Sequence, residues 1–207
     1  MTPRLPDGYF DALYAESADP WELGSRWYER RKYAITVALL PDERYRHAFE
    51  PGCSIGVLTE QLSTRCDHVT AVDVAESALA HADARLRQSG RREAVTLMNR
   101  SFDMPWPAED FDLIVISEMA YYFDAATLRT ILERELPRLH CDVTLVAAHW
   151  RHPVSDYPLS GDAANAVIGA TPGLHQIGEY RDDDVVIAVF ETGTRQSVAA
   201  RTDVPGA

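Results

Sequence analysis

The residue pattern most suggestive of ligand binding is a short loop, Glu50-Pro51-Gly52-Cys53-Ser54-Ile55-Gly56. Its glycines permit a tight turn and let a ligand approach the backbone closely. A dinucleotide-binding loop has the spacing Gly-x-Gly-x-x-Gly, but Ser54 and Val57 occupy its second and third glycine positions here. The spacing therefore argues against a dinucleotide, while a glycine-rich turn that binds nothing stays open as the alternative.

Asp73 follows at the end of a predicted strand, roughly 20 residues after Gly52. A carboxylate in this place can accept hydrogen bonds from both hydroxyls of a ribose. The alternative is a cap for the helix predicted to start near Ala75. The glycine loop at this distance favours ribose binding. Ser101 and Phe102 follow the next strand, where Phe102 would lie against a bound adenine or simply pack in the core.

Further candidates for chemistry follow the fourth and fifth predicted strands. Ser117-Glu118 precedes a pair of tyrosines, Tyr121-Tyr122. Glu118 can hold an ammonium or accept its proton, and the tyrosines can supply an aromatic wall that attracts a cation. The alternative is an acid at a helix start with packing aromatics. His149 is a candidate base, although a lone histidine is more often structural.

Strands and helices alternate along the body of the chain. The run Phe111-Asp112-Leu113-Ile114-Val115-Ile116 is typical of a strand buried on both faces. Alternating units predict a mostly parallel, doubly wound α/β sheet with helices on both faces. We expect a terminal antiparallel hairpin from residues 174–180 and 185–191. The other predicted strands are 47–50, 68–74, 94–99 and 143–149, and the predicted helices are 57–65, 75–89, 124–139 and 160–169.

The chain divides into three predicted segments. Residues 1–45 precede the sheet and carry many aromatic side chains, so we expect helices within 9–33 to form a lid rather than a disordered leader. Residues 46–191 form the predicted ligand-binding domain. Residues 192–207 lack periodicity and are predicted to be a flexible tail.

Composition limits the partners. The formal net charge of −12 makes nucleic acid and anionic membrane surfaces improbable partners and mildly favours a cationic ligand. The first residues lack the apolar stretch of a signal peptide, and no apolar run reaches the ~20 residues of a membrane span. Cys53, Cys66 and Cys141 fit neither a disulfide framework nor a zinc site, and no metal site is expected. A reducing cytoplasm is the predicted compartment.

The loop resembles the Glu-x-Gly-x-Gly-x-Gly motif of class I methyltransferases that use S-adenosylmethionine (SAM), with Ser54 in place of the middle glycine. More narrowly, the chain is similar to the nodulation-type (NodS-like) N-methyltransferases over about residues 9–191. The similar segments are Asp19-Pro20-Trp21, Tyr28-Glu29-Arg30-Arg31, Glu50-Pro51-Gly52-Cys53-Ser54-Ile55-Gly56, Ala71-Val72-Asp73 and Phe111-Asp112-Leu113-Ile114-Val115-Ile116-Ser117-Glu118 followed by Tyr121-Tyr122.

The resemblance implies a seven-stranded Rossmann-like sheet with an antiparallel last strand, and SAM as the cofactor. It implies that Gly52 and Gly56 flank the methionine part of SAM and that Asp73 binds its ribose. An N-terminal helical segment would cover the cofactor. The predicted cofactor-binding residues are Trp21, Arg30 (or its neighbour Arg31), Glu50, Gly52, Cys53, Gly56, Asp73, Ser101, Phe102 and Ser117. The predicted catalytic residues are Glu118, Tyr121 and His149.

The chain departs from the family pattern at Leu139-His140-Cys141-Asp142, where a Pro-Gly-Gly turn is common, and in the tail beyond residue 191.

The expected function is methyl transfer to a small-molecule acceptor, with an amine nitrogen favoured. Alternatives are a small hydroxylated acceptor with His149 as base, a SAM-binding protein without catalysis, and an NAD(P)-dependent oxidoreductase. Glu118 could also bind the amino group of SAM itself.

Overall fold

Seven strands form one mixed sheet in the computed structural model, which describes residues 4–140, 142–193 and 196–206. The strands are β1 (Tyr45–Pro51), β2 (Cys66–Asp73), β3 (Val95–Asn99), β4 (Leu113–Ser117), β5 (Thr144–Trp150), β6 (His175–Arg181) and β7 (Val185–Glu191). Their order across the sheet is β3-β2-β1-β4-β5-β7-β6, in which β1 to β5 are parallel. Strand β7 runs antiparallel to both β5 and β6. This confirms the predicted fold class and its terminal hairpin.

Helices cover both faces of the sheet. They are α1 (Asp7–Glu16), α2 (Trp27–Ala38), α3 (Val57–Leu62), α4 (Glu76–Gln88), α5 (Ala125–Glu135), α6 (Gly161–Gly169) and α7 (Val198–Arg201). Alternate residues of β4 enter opposite cores, because successive side chains of a strand point to opposite faces. Leu113 and Val115 pack in the core with α2, α3 and α4, whereas Ile114 and Ile116 pack in the core with α5 and α6. Since β1 to β5 run parallel, their carboxyl ends lie at one edge of the sheet, with helices packed on both faces.

Predicted and observed elements differ mainly at their ends. The helix predicted over 124–139 ends as α5 at Glu135, and a 3₁₀ turn follows over Leu136–Arg138. Pro137 explains the change, since it has no N–H for a helical hydrogen bond. Cys141, in the loop that departs from the family pattern, lies outside the described residues.

The N-terminal segment contains two helices that differ in how they meet the domain. Helix α1 packs through Phe10, whose ring contacts Tyr122, and through Tyr14. Helix α2 has a buried face made of Glu29, Lys32, Tyr33 and Thr36. Because α2 supplies four buried side chains and α1 only Tyr14, α2 is part of the domain's interior, and α1 with the following turn is the part that resembles a removable lid. A truncation that tests the predicted lid should therefore end before α2.

The predicted tail includes the short helix α7. Arg201 of α7 forms ion pairs with Asp42, at 3.2 Å, and with Glu191 at the end of β7. Residues 194, 195 and 207 lie outside the described residues. The flexibility of this segment stays a prediction.

We predict that Gly56→Ala lowers the free energy of unfolding by about 1–3 kcal/mol. Gly56 has a φ of +77°, and an added Cβ would lie 2.9 Å from the Cβ of Ala82 on α4. Both the left-handed backbone and the crowding oppose a side chain here. Urea unfolding would measure the loss, with Gly90→Ala as a matched control.

Gly90 has a φ of +72° but nothing within 4 Å of an added Cβ. The loss of stability in Gly90→Ala therefore measures the cost of the left-handed backbone alone. Equal losses in the two variants would show that close packing of Gly56 on α4 contributes nothing.

Candidate functional site

A cavity of about 590 Å³ opens at the carboxyl edge of the parallel strands. Loops that follow β1, β2, β3 and β4 line it, and α1 and α2 close over it. Ten of the thirteen predicted site residues line this cavity: Trp21, Glu50, Gly52, Cys53, Asp73, Ser101, Phe102, Ser117, Glu118 and Tyr121. Apart from Trp21, which precedes the sheet, these residues lie at or after the carboxyl ends of parallel strands, which meet at one edge of the sheet.

The glycine loop takes a left-handed backbone at two of its cavity-lining positions. Gly52 has a φ of +72° and Ser54 a φ of +51°, so Ser54 adopts the conformation that a glycine would adopt more easily. The N–H of Ser54 donates to Oδ2 of Asp73 over 2.8 Å, which ties the loop to the end of β2. The serine in place of the middle glycine therefore leaves the turn intact.

Asp73 does not cap α4, whose N-cap residue is Ala75 and which has no side-chain cap. Its Oδ1 instead accepts from the N–H of Ala75 over 3.0 Å, in the turn before α4, and its Oδ2 accepts from Ser54. A carboxylate has about four lone-pair sites, so two remain for the hydroxyls of a ribose. Burial raises the pKa of Asp73 above its usual value, although these backbone N–H bonds oppose the rise.

Glu50 provides a buried acceptor without a partner. The residue is 2% exposed and lines the cavity, yet its Oε2 has no hydrogen-bond partner among the described residues. Burial raises the pKa of the Glu50 carboxyl to about 8, with Thr59 opposing the rise and Asp73 adding to it. An unsatisfied buried oxygen is costly. The loop, Asp73 and this free acceptor together fit a polar nucleoside ligand such as SAM.

Aromatic side chains form the roof and one wall near the loop. The hydroxyl of Tyr14 on α1 hydrogen-bonds Oγ of Ser54, and the ring of Trp21 packs edge-on against Tyr14 at 5.7 Å. Phe102 lines the cavity and also packs at 5.5 Å against the ring of Trp106. The predicted adenine contact and the core role of Phe102 are therefore compatible. The contact of α1 with Ser54 holds the roof on the loop.

Glu118 lies at the centre of a network of charged and polar groups. Its Oε1 accepts from Nζ of Lys32 over 2.7 Å. Its Oε2 accepts from the hydroxyl of Tyr121 over 2.6 Å and from the N–H of Trp150 over 2.8 Å. Burial alone would raise the pKa of Glu118, but the charge of Lys32 and these hydrogen bonds lower it below its usual value. Glu118 is therefore an ionised group with little tendency to take a proton.

The backbone of Glu118 is also unusual, with a φ of +56°. Non-glycine residues in this region are strained and cluster at functional sites. Beside Glu118, three tyrosines pack into one wall. Tyr121 stacks on Tyr157 with ring centroids 4.8 Å apart, and Tyr122 meets both rings edge-on. This wall and the carboxylate can hold a cation.

Three predicted site residues do not line the cavity. Arg30 is exposed, donates to the carbonyl of Ser25 and lies 5.9 Å over the ring of Trp27. Its neighbour Arg31 pairs with Asp182 at 2.9 Å. Gly56 faces Ala82 of α4, so its glycine serves helix packing. The prediction that Arg30 and Gly56 contact the cofactor does not fit these positions.

His149 also lies outside the cavity lining. The ring is fully buried, its Nδ1 is 2.6 Å from Oδ1 of Asn165, and its Nε2 accepts from the N–H of Ala120 over 3.2 Å. Burial lowers the pKa of His149, so the ring is neutral. With both nitrogens engaged, His149 holds the loop after β4 in place. The prediction that it acts as the base does not agree with this geometry.

Sequence reasoning missed the charged residues that α2 contributes. Nζ of Lys32 lies 2.7 Å from Oε2 of Glu29 as well as from Glu118, and the lysine is 2% exposed. Burial would lower the pKa of Lys32, but the two carboxylates outweigh it and raise the pKa. Its ammonium also lies over the rings of Tyr28 and Tyr33, at 5.4 and 5.1 Å. Helical spacing of residues 29, 32, 33 and 36 was the signal that could have revealed this face.

Two classes of feature are absent from the part of the chain that the structure describes. No cluster of three or more metal-binding side chains occurs there. None of the helices in the described ranges has the length and apolar character needed to cross a membrane.

Comparison with known proteins points to one family. A model of the family described as nodulation protein S (NodS) matches residues 10–176. Nodulation protein S of Sinorhizobium fredii is 32% identical over 125 residues, which are 58% of this chain and 56% of that protein. Nodulation protein S of Bradyrhizobium diazoefficiens is 31% identical over 130 residues, or 62% of this chain and 61% of that protein. The chain thus matches little more than half the length of these relatives.

Solved structures agree in fold. A crystal structure described as a candidate methyltransferase from Pseudomonas syringae is 35% identical, with a TM-score of 0.65 and coverage of 80% of this chain and 99% of that one. The N-methyltransferase NodS of Bradyrhizobium japonicum WM9, in complex with S-adenosyl-L-homocysteine (SAH), is 23% identical. Its TM-score is 0.75, and the match covers 87% of this chain and 96% of that one.

Proposed function

The chain belongs to the nodulation protein S (NodS) family, and from that premise we propose that it transfers a methyl group from SAM to an amine nitrogen of a small molecule. The observation that best supports an amine acceptor is the position of Glu118. It is an ionised carboxylate beside a wall of tyrosines, in the same cavity as the glycine loop. A carboxylate next to aromatic faces suits a cationic nitrogen.

When bound, SAM supplies a methyl group on a positively charged sulfur. Asp73 would hold the ribose, and Gly52 lets the loop backbone approach the ligand. Tyr14 and Trp21, held on the loop through Ser54, would exclude water above it. In a site without water, aligning the acceptor with the methyl group can contribute several kcal/mol to lowering the barrier.

The remaining groups act on the acceptor. The tyrosine wall of Tyr121, Tyr122 and Tyr157 would pack against its carbon skeleton and its cation. Glu118 would accept a hydrogen bond from its ammonium and fix its direction. The formal net charge of −12 further favours a cationic acceptor at low salt. The acceptor is a small molecule in this proposal, and the three cysteines favour a reducing compartment such as the cytoplasm.

Methyl transfer to matched amines and alcohols tests the proposal. The purified chain would receive SAM with an isotopically labelled methyl group together with n-butylamine, benzylamine, 2-phenylethylamine, ethanolamine and the corresponding alcohols. Tandem mass spectrometry would locate the label in any product, and the formation of SAH would be measured in parallel. We expect N-methylated products and stoichiometric SAH.

Other outcomes of this experiment would contradict the proposal. Labelled products only at oxygen or carbon would exclude an amine acceptor. SAM binding without SAH formation with any compound would indicate a binding protein without catalysis. Oxygen acceptors have less support, because His149, the base assigned to that alternative, lies outside the cavity lining.

We predict that Asp73→Ala weakens the binding of SAM and of its product SAH, which share the ribose, by about 1–3 kcal/mol, the cost of losing hydrogen bonds to a charged group. Calorimetric titration with SAH would measure the change. Asp183→Ala, which removes an exposed acid with the same change in net charge, is the control and should bind SAH as the native chain does. An unaltered affinity in Asp73→Ala would remove Asp73 from the cofactor site.

A further inference from the structure

An alkyl ammonium must lose its proton before its nitrogen can attack a methyl group, and the predicted bases are poorly suited to take it. Glu118 already accepts from three donors, one of them the cation of Lys32. Tyr121 donates its own proton to Glu118, and burial raises its pKa well above the usual value. His149 is outside the cavity lining with both nitrogens engaged. The cavity therefore needs another proton acceptor.

Glu29 on α2 has the geometry of such an acceptor. It lines the cavity and is 7% exposed. Its Oε2 lies 2.7 Å from Nζ of Lys32, yet no donor reaches this oxygen in good hydrogen-bond geometry among the described residues. Glu118, in contrast, shares the same lysine and has both oxygens satisfied. Both carboxylates pair with Lys32, but only Glu29 has an oxygen without a hydrogen bond from the described part of the chain. Binding a proton therefore stabilises Glu29 more than it stabilises Glu118.

We propose that Glu29 is the catalytic base, which takes the proton from the acceptor's ammonium. Lys32 positions the carboxylate of Glu29, and Glu118 positions the ammonium. The inference rests on the proposed amine N-methyltransferase function. In the step, one N–H bond of the ammonium breaks, its electron pair stays on nitrogen, and the proton forms an O–H bond on Glu29. The neutral amine then attacks the methyl carbon, and the sulfur leaves with the electrons of its carbon bond as SAH.

Surrounding charges set how readily Glu29 ionises. Lys32, Tyr28 and Tyr33 face it from α2 itself, and Glu118 faces it from the loop after β4. Burial raises the pKa of Glu29, Glu118 adds to the rise, and Lys32 and Tyr33 oppose it. A raised pKa suits a base that works near neutral pH, since a weakly acidic carboxyl holds an abstracted proton better.

Turnover across pH tests the role of Glu29. The rate of SAH formation would be measured from pH 6 to 10 with the amine that the native chain methylates fastest among n-butylamine, benzylamine, 2-phenylethylamine and ethanolamine. Glu29→Gln should lower kcat about 100-fold or more at pH 7, the usual effect of a general base. The deficit should shrink toward pH 10, because a free alkyl ammonium loses its proton near ~10.4 unaided. Glu29→Asp should recover part of the rate.

Two results would overturn the proposal. One is a kcat for Glu29→Gln within about threefold of the native value at pH 7. The other is a loss of kcat of equal size at every pH, which a purely structural effect would produce. Glu16→Gln, at an exposed position of α1 outside the cavity lining, should leave kcat unchanged.

A titration without any acceptor separates this inference from the proposed function. The full chain would be labelled with ¹³C at the glutamate carboxyls, saturated with SAH, and titrated by NMR. Loss of one resonance in Glu29→Gln and of another in Glu118→Gln assigns the two groups. Glu29 should titrate above ~4.3, the ordinary value for a glutamate, and Glu118 below it. Glu29 titrating at or below that value would overturn the assignment even if methyl transfer is observed. If no amine is methylated, the proposed function fails, while the titration still decides the proton affinity of Glu29.

Discussion

Lys32→Ala is expected to lower the free energy of unfolding by about 3–5 kcal/mol, the cost of breaking a buried ion pair by removing one partner. Lys32 is 2% exposed and lies 2.7 Å from both Glu29 and Glu118. Without its ammonium, two carboxylates would be left in an interior with no cation between them. The variant also loses the contacts of the ammonium with Tyr28 and Tyr33. Urea unfolding followed by circular dichroism would measure the loss.

A compensated variant distinguishes loss of charge pairing from loss of packing. Lys32→Met combined with Glu29→Gln and Glu118→Gln keeps the volume of the three side chains and removes all three charges. Replacing a buried ion pair by uncharged groups of similar volume is often neutral, so most of the stability should return. A loss below about 1 kcal/mol in Lys32→Ala, or an equal loss in both variants, would show that the ion pairs do not hold α2 in place.

Glu50→Gln is expected to raise the free energy of unfolding by about 2–4 kcal/mol at pH 7. In the folded chain burial raises the pKa of Glu50 to about 8. In the unfolded chain a glutamate ionises near ~4.3. The folded state therefore loses stability as the pH rises from about 4 to about 8, because only the unfolded state releases the proton. Glutamine has nearly the same shape and does not ionise.

Unfolding at two pH values tests this reasoning. Near pH 4 the native chain and Glu50→Gln should have nearly equal stability, and at pH 7 the variant should be more stable. Glu16→Gln, at an exposed position, serves as the control and should alter neither value appreciably. A gain that is the same at both pH values would arise from packing, and a loss at pH 7 would mean that Glu50 is ionised and well solvated in the folded chain.

The sheet was predictable from the sequence because its signals are local. The apolar run ending in Ile114-Val115-Ile116 can only suit a strand with both faces covered, and the structure places its alternate residues in two different cores. The spacing from Gly52 to Asp73 reflects one strand–helix–strand unit, so both residues reached the same edge as expected. Errors of one to four residues occurred at element ends, the largest where Pro137 ends the helix that was predicted to continue to residue 139.

The site was less predictable because its determinants are tertiary. Helix α2 buries charged groups, Glu29 and Lys32, so a search for apolar periodicity along the chain passes over this face. Arg30 and Lys32 stand only two positions apart, and the direction in which a helix faces decides which of them enters the cavity. His149 lies near the carboxyl end of β5, where a catalytic base could stand, but Asn165 and the N–H of Ala120 occupy its nitrogens.

Calorimetric titration of the native chain with SAH, and separately with NAD, tests most directly the claim that this cavity is a SAM site. We expect SAH to bind at one site per chain with a clear heat signal, and we expect NAD to give none, because Ser54 and Val57 replace the glycines that a dinucleotide loop requires. Binding of NAD, or the absence of any heat with SAH, would contradict the account.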